Sequence, residues 1–144
     1  MPQLPSGLPE EIAADEDIAR FLHESNKFSV AMAMARPAAF LPSKERETSV
    51  SRHGEEPADV LLALGKEAAA AANRKLYGAA IFKPNAVNEA QLTIREAEPP
   101  DRHAVIIGWP TNADPRMEKA KCLEHAAVFA SKADLILFAE GEAV

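Results

Sequence analysis

The hydrophobic rhythm of the chain switches several times between a helical and a strand period, and each switch marks an element. From Asp15 the run DEDIARFL sets acids where a helix dipole favours them. It also places Ile18, Phe21 and Leu22 on one stripe at i, i+3 and i+4, which predicts a short first helix ending near Ser25-Asn26. Phe28 to Met34 carries its larger apolar residues at every second position, the period of a half-buried strand. Pro37 and Pro42 bracket the next four residues and leave them extended. The segment ETSVSR, Glu47 to Arg52, is rich in Thr, Ser and Val and runs into a turn at His53-Gly54, so it is read as a strand.

Glu55-Glu56-Pro57 opens a helix, with acids at the terminus and proline where a missing N–H costs least. The stripe Val60, Leu61, Leu64, Ala68, Ala71 and Ala72 carries it to Arg74 or Lys75, and Gly78 marks its exit. A short strand over Ala79 to Lys83 follows, with a brief helix over Asn85 to Ala90 as an alternative for this region. Gln91 to Arg95 alternates as a half-exposed strand, and Glu98 to Asp101 makes a proline turn. His103 to Gly108 is the most apolar strand and stops at Trp109-Pro110. The last helix opens at Asp114-Pro115, an N-cap followed by a proline at the first helical position. Leu135 to Phe138 either extends it or forms an edge strand. The sum is an α+β fold, a single layer of four or five short, mostly antiparallel strands packed with about three helices. Residues 1–9, studded with prolines, are expected as a flexible tail, and 10–144 as one globular domain.

Composition sharpens this picture in one respect. Of the hydrophobic residues, 29 are alanine, and Leu, Ile, Val and Phe together number only 32 of 144, so bulky core residues are scarce. The alanines concentrate in helical stretches, where they let helices lie close on a sheet. No run approaches the roughly 18 consecutive apolar residues of a membrane-spanning helix. The acidic N-terminal stretch has no basic n-region and no apolar h-region, so a secretory signal is not expected. One cysteine, Cys122, forms no internal disulfide, and a reducing cytoplasm is the natural compartment.

The net charge of −6 is unevenly spread. Residues 1–26 carry −5, residues 27–54 carry +3 and residues 55–144 carry −4, which leaves a basic island in an acidic chain. That balance argues against duplex DNA, whose binding requires many phosphates to be neutralised at once. A local anion site remains. Arg52-His53 closes one predicted strand and Arg102-His103 opens another, each pairing a permanent cation with a group that titrates near neutrality. If the two strands are neighbours, Arg46, Ser49, Arg52 and Arg102 are candidate ligand-binding residues. His53 and His103 are then candidates for general acid and base on a phosphodiester. The alternative is that these residues cap strand ends and pair with Glu45, Glu47 or Asp101.

Trp109, beside a proline after a central strand, either anchors a partner or plugs the core. Ser49 has no Gly-x-Ser-x-Gly elbow around it, and its structural role is a hydroxyl on a strand face. Cys122 and His125 lie three apart on a helix, but no second pair at ligand spacing joins them, so no metal is expected. The six glycines are scattered and form neither a Walker loop nor a Rossmann fingerprint, and no cofactor is expected.

The blocks AFLPS (39–43), ETSVSR (47–52) and RHAVIIGWP (102–110), with DEDIARFL (15–22), resemble a family of short bacterial proteins with no assigned activity. The resemblance spans about residues 12–130 and implies no reaction; it directs interest to Ser49, Arg52, His103 and Trp109. Two functions follow as expectations. One is a soluble cytoplasmic binding or accessory module that recognises a partner protein or a small anionic ligand through the basic segment. The other is a small phosphate-directed enzyme, RNA-cleaving or nucleotide-modifying in the manner of a toxin, using paired histidines. Self-association or partner docking through the acidic first helix is a further expectation.

Overall fold

The computed structural model of the protein describes Leu4, Ser6 and residues 11–52, 58–71, 73–98 and 102–137. Its elements run β1 (Ile18–Leu22), β2 (Phe28–Ser29), β3 (Met34–Ala35), β4 (Thr48–Arg52), α1 (Ala58–Ala71) and β5 (Gly78–Phe82). They continue with α2 (Pro84–Glu89), β6 (Thr93–Glu96), β7 (His103–Ile107), α3 (Pro115–Ala130) and β8 (Asp134–Leu137). Two 3-10 turns lie at Ser25–Lys27 and Pro37–Phe40. Among the described residues the class is α+β with three helices, and every strand pair is antiparallel. The main sheet has six strands in the order β6-β7-β4-β1-β5-β8, and β2 with β3 forms a separate ribbon, so the sheet is larger than four or five strands.

The largest departure from the sequence reading is residues 18–22, which form a strand and not a helix. β1 sits in the middle of the sheet between β4 and β5, with four of its five residues buried. A strand covered on both faces reads as a near-continuous apolar run, and over five residues that cannot be told from a helical stripe. The acids before it serve ion pairs: Glu16 holds Arg52, and Asp17 pairs with Lys83. An acidic first helix is therefore not there to mediate association.

The alternation of β1 divides the interior. Ile18 and Leu22 join Val50, Phe82 and Ile106 under α3 and the 3-10 turn at Pro37–Phe40, while Ala19 and Phe21 join Ala69, Leu76 and Ala79 under α1. Helices thus cover the sheet on both sides. The first face holds Phe40, Phe82, Phe129 and Trp109, with Phe40 and Phe129 edge-to-face at 4.8 Å and Trp109 6.2 Å from Phe129. These rings supply the bulk that a chain poor in Leu, Ile and Val lacks. Alanine supplies the closeness: Ala69, Ala126 and Ala130 are all buried. On α1 the approach is tight enough that a Cβ on Gly65 would lie 2.9 Å from both Leu76 and Phe21.

The expected start of α1 at Glu55-Glu56-Pro57 and the proline turn at Pro99-Pro100-Asp101 lie outside the described residues. The helix ends at Ala71, not at 74 or 75, and Gly78 is the first residue of β5. There a Cβ would stand 2.2 Å from the Ile136 carbonyl oxygen, so the β5–β8 contact is made to glycine's dimensions. α3 begins as the sequence predicts, with the Asp114 side chain accepting the Arg116 N–H at 3.0 Å and Pro115 at the first position. Residues 134–137 form an edge strand on β5. Residues 28–35 keep the strand period but are interrupted by a turn, in which Ala33 takes φ 52. Among the described residues, no helix is long and apolar enough to cross a membrane.

One seam in the sheet is short. β1 and β4 share only two register pairs, Ile18 with Arg52 and Ala19 with Ser51, whereas β1 and β5 share five. Beyond Ala19 the Arg20 side chain fills the gap, donating through Nε to Ala39 O at 2.9 Å and through Nη1 to Ser49 O at 2.7 Å. It takes the place of backbone partners that a continued ladder would have supplied.

Candidate functional site

β4 and β7 are neighbours, as the Arg-His reading required, and their register places Ser51 opposite His103 and Ser49 opposite Val105. Ser49 and Ser51 therefore share the side of β4 that carries His103 on β7, because side chains directly opposite in a ladder emerge on the same face. The α1 helix runs over this region. Between them lies a groove of about 450 Å³, lined by Ser49, Ser51, Arg102 and His103 on one side and by Leu64 and Glu67 of α1 on the other. Phe21 of β1 and Ala68 and Ala71 of α1 add apolar lining, and Arg20 and His23 also border it.

The backbone around Arg102 is fixed by several contacts. Arg102 has φ 68, an uncommon conformation for a non-glycine residue. Its amide donates to Glu98 at 3.2 Å, its carbonyl accepts from Arg52 N at 2.7 Å, and its Nη1 lies 3.4 Å from Arg52 O. Glu98 also accepts from Ser6 N at 3.1 Å and Ser6 Oγ at 2.5 Å. Burial works to raise the Glu98 carboxyl, but the bonds from Ser6 and Arg102 and the charge of Arg52 outweigh it and hold it below the usual carboxylate range.

His103 is half-buried, and its Nδ1 lies 3.0 Å from Ala97 O. A carbonyl can only accept, so Nδ1 is the donor in this contact. His23 and His125 are held the same way, by Lys75 O at 3.0 Å and Ala90 O at 2.5 Å. Burial pushes His23 down, and the charges of Arg74 and Arg20 add to this against the opposing bond to Lys75 O. Arg20, enclosed between the strands and facing the charge of Arg74, is pushed down to about 10 and stays cationic at neutral pH.

The other candidates from the sequence are elsewhere. Arg52 is 0% exposed and gives Nε and Nη2 to the two Glu16 oxygens at 2.6 and 2.8 Å, a bidentate buried pair on the α3 side of the sheet. Arg46 is exposed in the turn before β4 and bonds Glu118 of α3 at 2.9 Å, an interaction that pulls the Glu118 carboxyl down. Trp109 is 5% exposed in the aromatic core, its Nε1 donating to Ile106 O at 3.1 Å, so it plugs the core and presents no surface to a ligand. His53 lies outside the described residues. The basic island is thus dispersed, while Ser49, Arg102 and His103 come together.

Cys122 and His125 do not converge on one point. The thiol is buried 3.7 Å from Pro110 O, and burial pushes it up, whereas the imidazole goes to Ala90 O. Among the described residues, no three His, Cys, Asp or Glu side chains gather as a metal would require.

Sequence reasoning missed Arg20, His23, Ser51 and Glu67. For Arg20 there was a signal, a lone cation inside the otherwise apolar IARFL. For Glu67 there was none, because a glutamate on an amphipathic helix is ordinarily only solvated. Comparison of the chain with protein-family models, with curated proteins and with solved structures finds no match in any of the three.

Proposed function

We propose that the protein is a binding module for a small anionic ligand held in the groove between α1 and the β1–β4–β7 side of the sheet. The observation that carries this reading is the convergence of two serine hydroxyls, Arg102 and His103 on one groove with apolar lining. Hydroxyls, a guanidinium and an imidazole are the donors that recognise a phosphate or carboxylate, and apolar lining receives the body of such a molecule. In a chain of net charge −6 the groove gathers two arginines, Arg20 and Arg102, against one carboxylate, Glu67. The ligand meets Arg102 and not the wider basic segment, since Arg102 lines the groove whereas Arg46 and Arg52 do not.

Isothermal titration of the full chain with inorganic phosphate, nucleoside monophosphates and small carboxylates tests this. At least one of these anions is expected to bind. Arg102→Ala should weaken it by about tenfold or more, the value of a charge-assisted hydrogen bond. Arg46→Ala should leave it unchanged. Failure of every anion to bind, or equal affinity in Arg102→Ala, would overturn the proposal.

A further inference from the structure

We infer that the ligand carries two separated anionic groups, one for each of two adjoining grooves beside the short β1–β4 seam; this rests on the groove proposed above. A second groove, of about 180 Å³, lies next to the first and shares Arg20, Phe21 and His23 with it. It continues past Ala38 and Ala39 to Lys27 and Arg74. The two adjoin at Arg20, Phe21 and His23, beside the seam where β1 and β4 share only two register pairs. Arg20 lies in the opening and borders both grooves.

The charge is distributed to match. Arg102 lines the first groove, with His103 and the Glu67 carboxylate; Lys27 and Arg74 line the second, with Glu24; and Arg20 borders both. Arg74 is partly neutralised by Glu24 at 2.7 Å, but Lys27 has no acidic partner among the described residues. Arg20, which gives Nε to Ala39 O and Nη1 to Ser49 O, adds its positive field and its remaining N–H donors between the two grooves. A single phosphate or carboxylate is too small to reach both grooves. A molecule with an anionic group at each end of an uncharged spacer would satisfy both, and the second contact would form at high effective concentration once the first is made. Nucleoside bisphosphates and linear dicarboxylates share this chemistry.

The experiment is titration of the full chain with a nucleoside bisphosphate against the matching monophosphate, and with a series of linear dicarboxylates against the matching monocarboxylates. Whichever series binds identifies the head group. Within it, the two-headed member is expected to bind about tenfold or more tightly than the one-headed member. Lys27→Ala should erase that advantage while leaving one-headed affinity within about twofold, because Lys27 lines only the second groove and Arg102 only the first. Arg102→Lys, which keeps the charge but not the fork, should weaken both. Two-headed and one-headed ligands of equal affinity, or a Lys27→Ala variant that loses both alike, would overturn the inference and leave the single-anion groove standing. Binding by no anion of either kind would overturn both.

Discussion

Truncating Arg52 gives the most direct measure of whether the buried pair is built as described. The guanidinium is 0% exposed and the Glu16 side chain 11%, with two hydrogen bonds of 2.6 and 2.8 Å between them. Removing one member of such a pair leaves the other charge desolvated, which costs about 3–5 kcal/mol. The residual exposure of Glu16 lets water reach its carboxylate, so Arg52→Ala should fall near the lower end, about 3 kcal/mol. For a chain of this size that corresponds to a loss of roughly 10 °C in Tm. Glu16→Gln should destabilise as well, since it strands the arginine. The double variant Arg52→Ala with Glu16→Gln removes both charges and should cost less than the sum of the singles by more than about 1.5 kcal/mol. Urea unfolding followed by circular dichroism gives all three numbers. An Arg52→Ala variant within about 1 kcal/mol of wild type, or single and double changes that simply add, would refute a tightly held buried pair.

Gly78→Ala should cost about 2 kcal/mol and raise hydrogen exchange in residues 134–137, because its Cβ would press on the Ile136 carbonyl and the two strands must separate to admit it; unchanged protection of β8 would contradict the close approach. Trp109 fluorescence should resist quenching by iodide in the native protein and become quenchable on unfolding, and strong native quenching would place the indole outside the core. His23 should make stability depend on pH. Its folded-state value is depressed, so the unfolded chain takes up the proton first; the contribution is fully present above about pH 6.5 and is lost as pH falls through the lower folded value. Melting temperatures at about pH 7.5 and pH 5 should therefore differ less in His23→Gln than in wild type, and an equal difference would remove His23 from the account.

Much of the fold was legible where punctuation was strong. Asp114-Pro115 announced α3, and the Thr, Ser and Val content of 47–52 and the alternation of 91–95 announced the strands found at 48–52 and 93–96, because caps and half-buried strands leave local marks. β1 was not legible, since a strand buried on both faces loses its alternation and DEDIARFL carries a helix-like acidic lead whose true partners, Arg52 and Lys83, are far away in sequence. Misplacing β1 hid the sheet's centre and its size. The same error concealed the site in part. Ser49, Arg102 and His103 could be guessed from strand ends, but Arg20 and Ser51 acquire meaning only through the β1–β4 pairing, and Glu67 only through the position of α1. Arg52 attracted attention as a cation on a basic stretch, yet its alternation with Ser51 turns it inward.

The two-pair seam between β1 and β4 divides the six-stranded sheet into two triplets, β6-β7-β4 and β1-β5-β8, each more fully laddered within than the junction between them. Thermal opening should begin along that line, where few amides must be released, and should expose the Arg20 guanidinium before either triplet melts. A molecule lodged across the opening would then act as a weld, gripping one triplet through Arg102 and reaching the other through Lys27 and Arg74. Its binding would be read most sensitively in the coupling of the two triplets, as a single cooperative unfolding in place of a staged one.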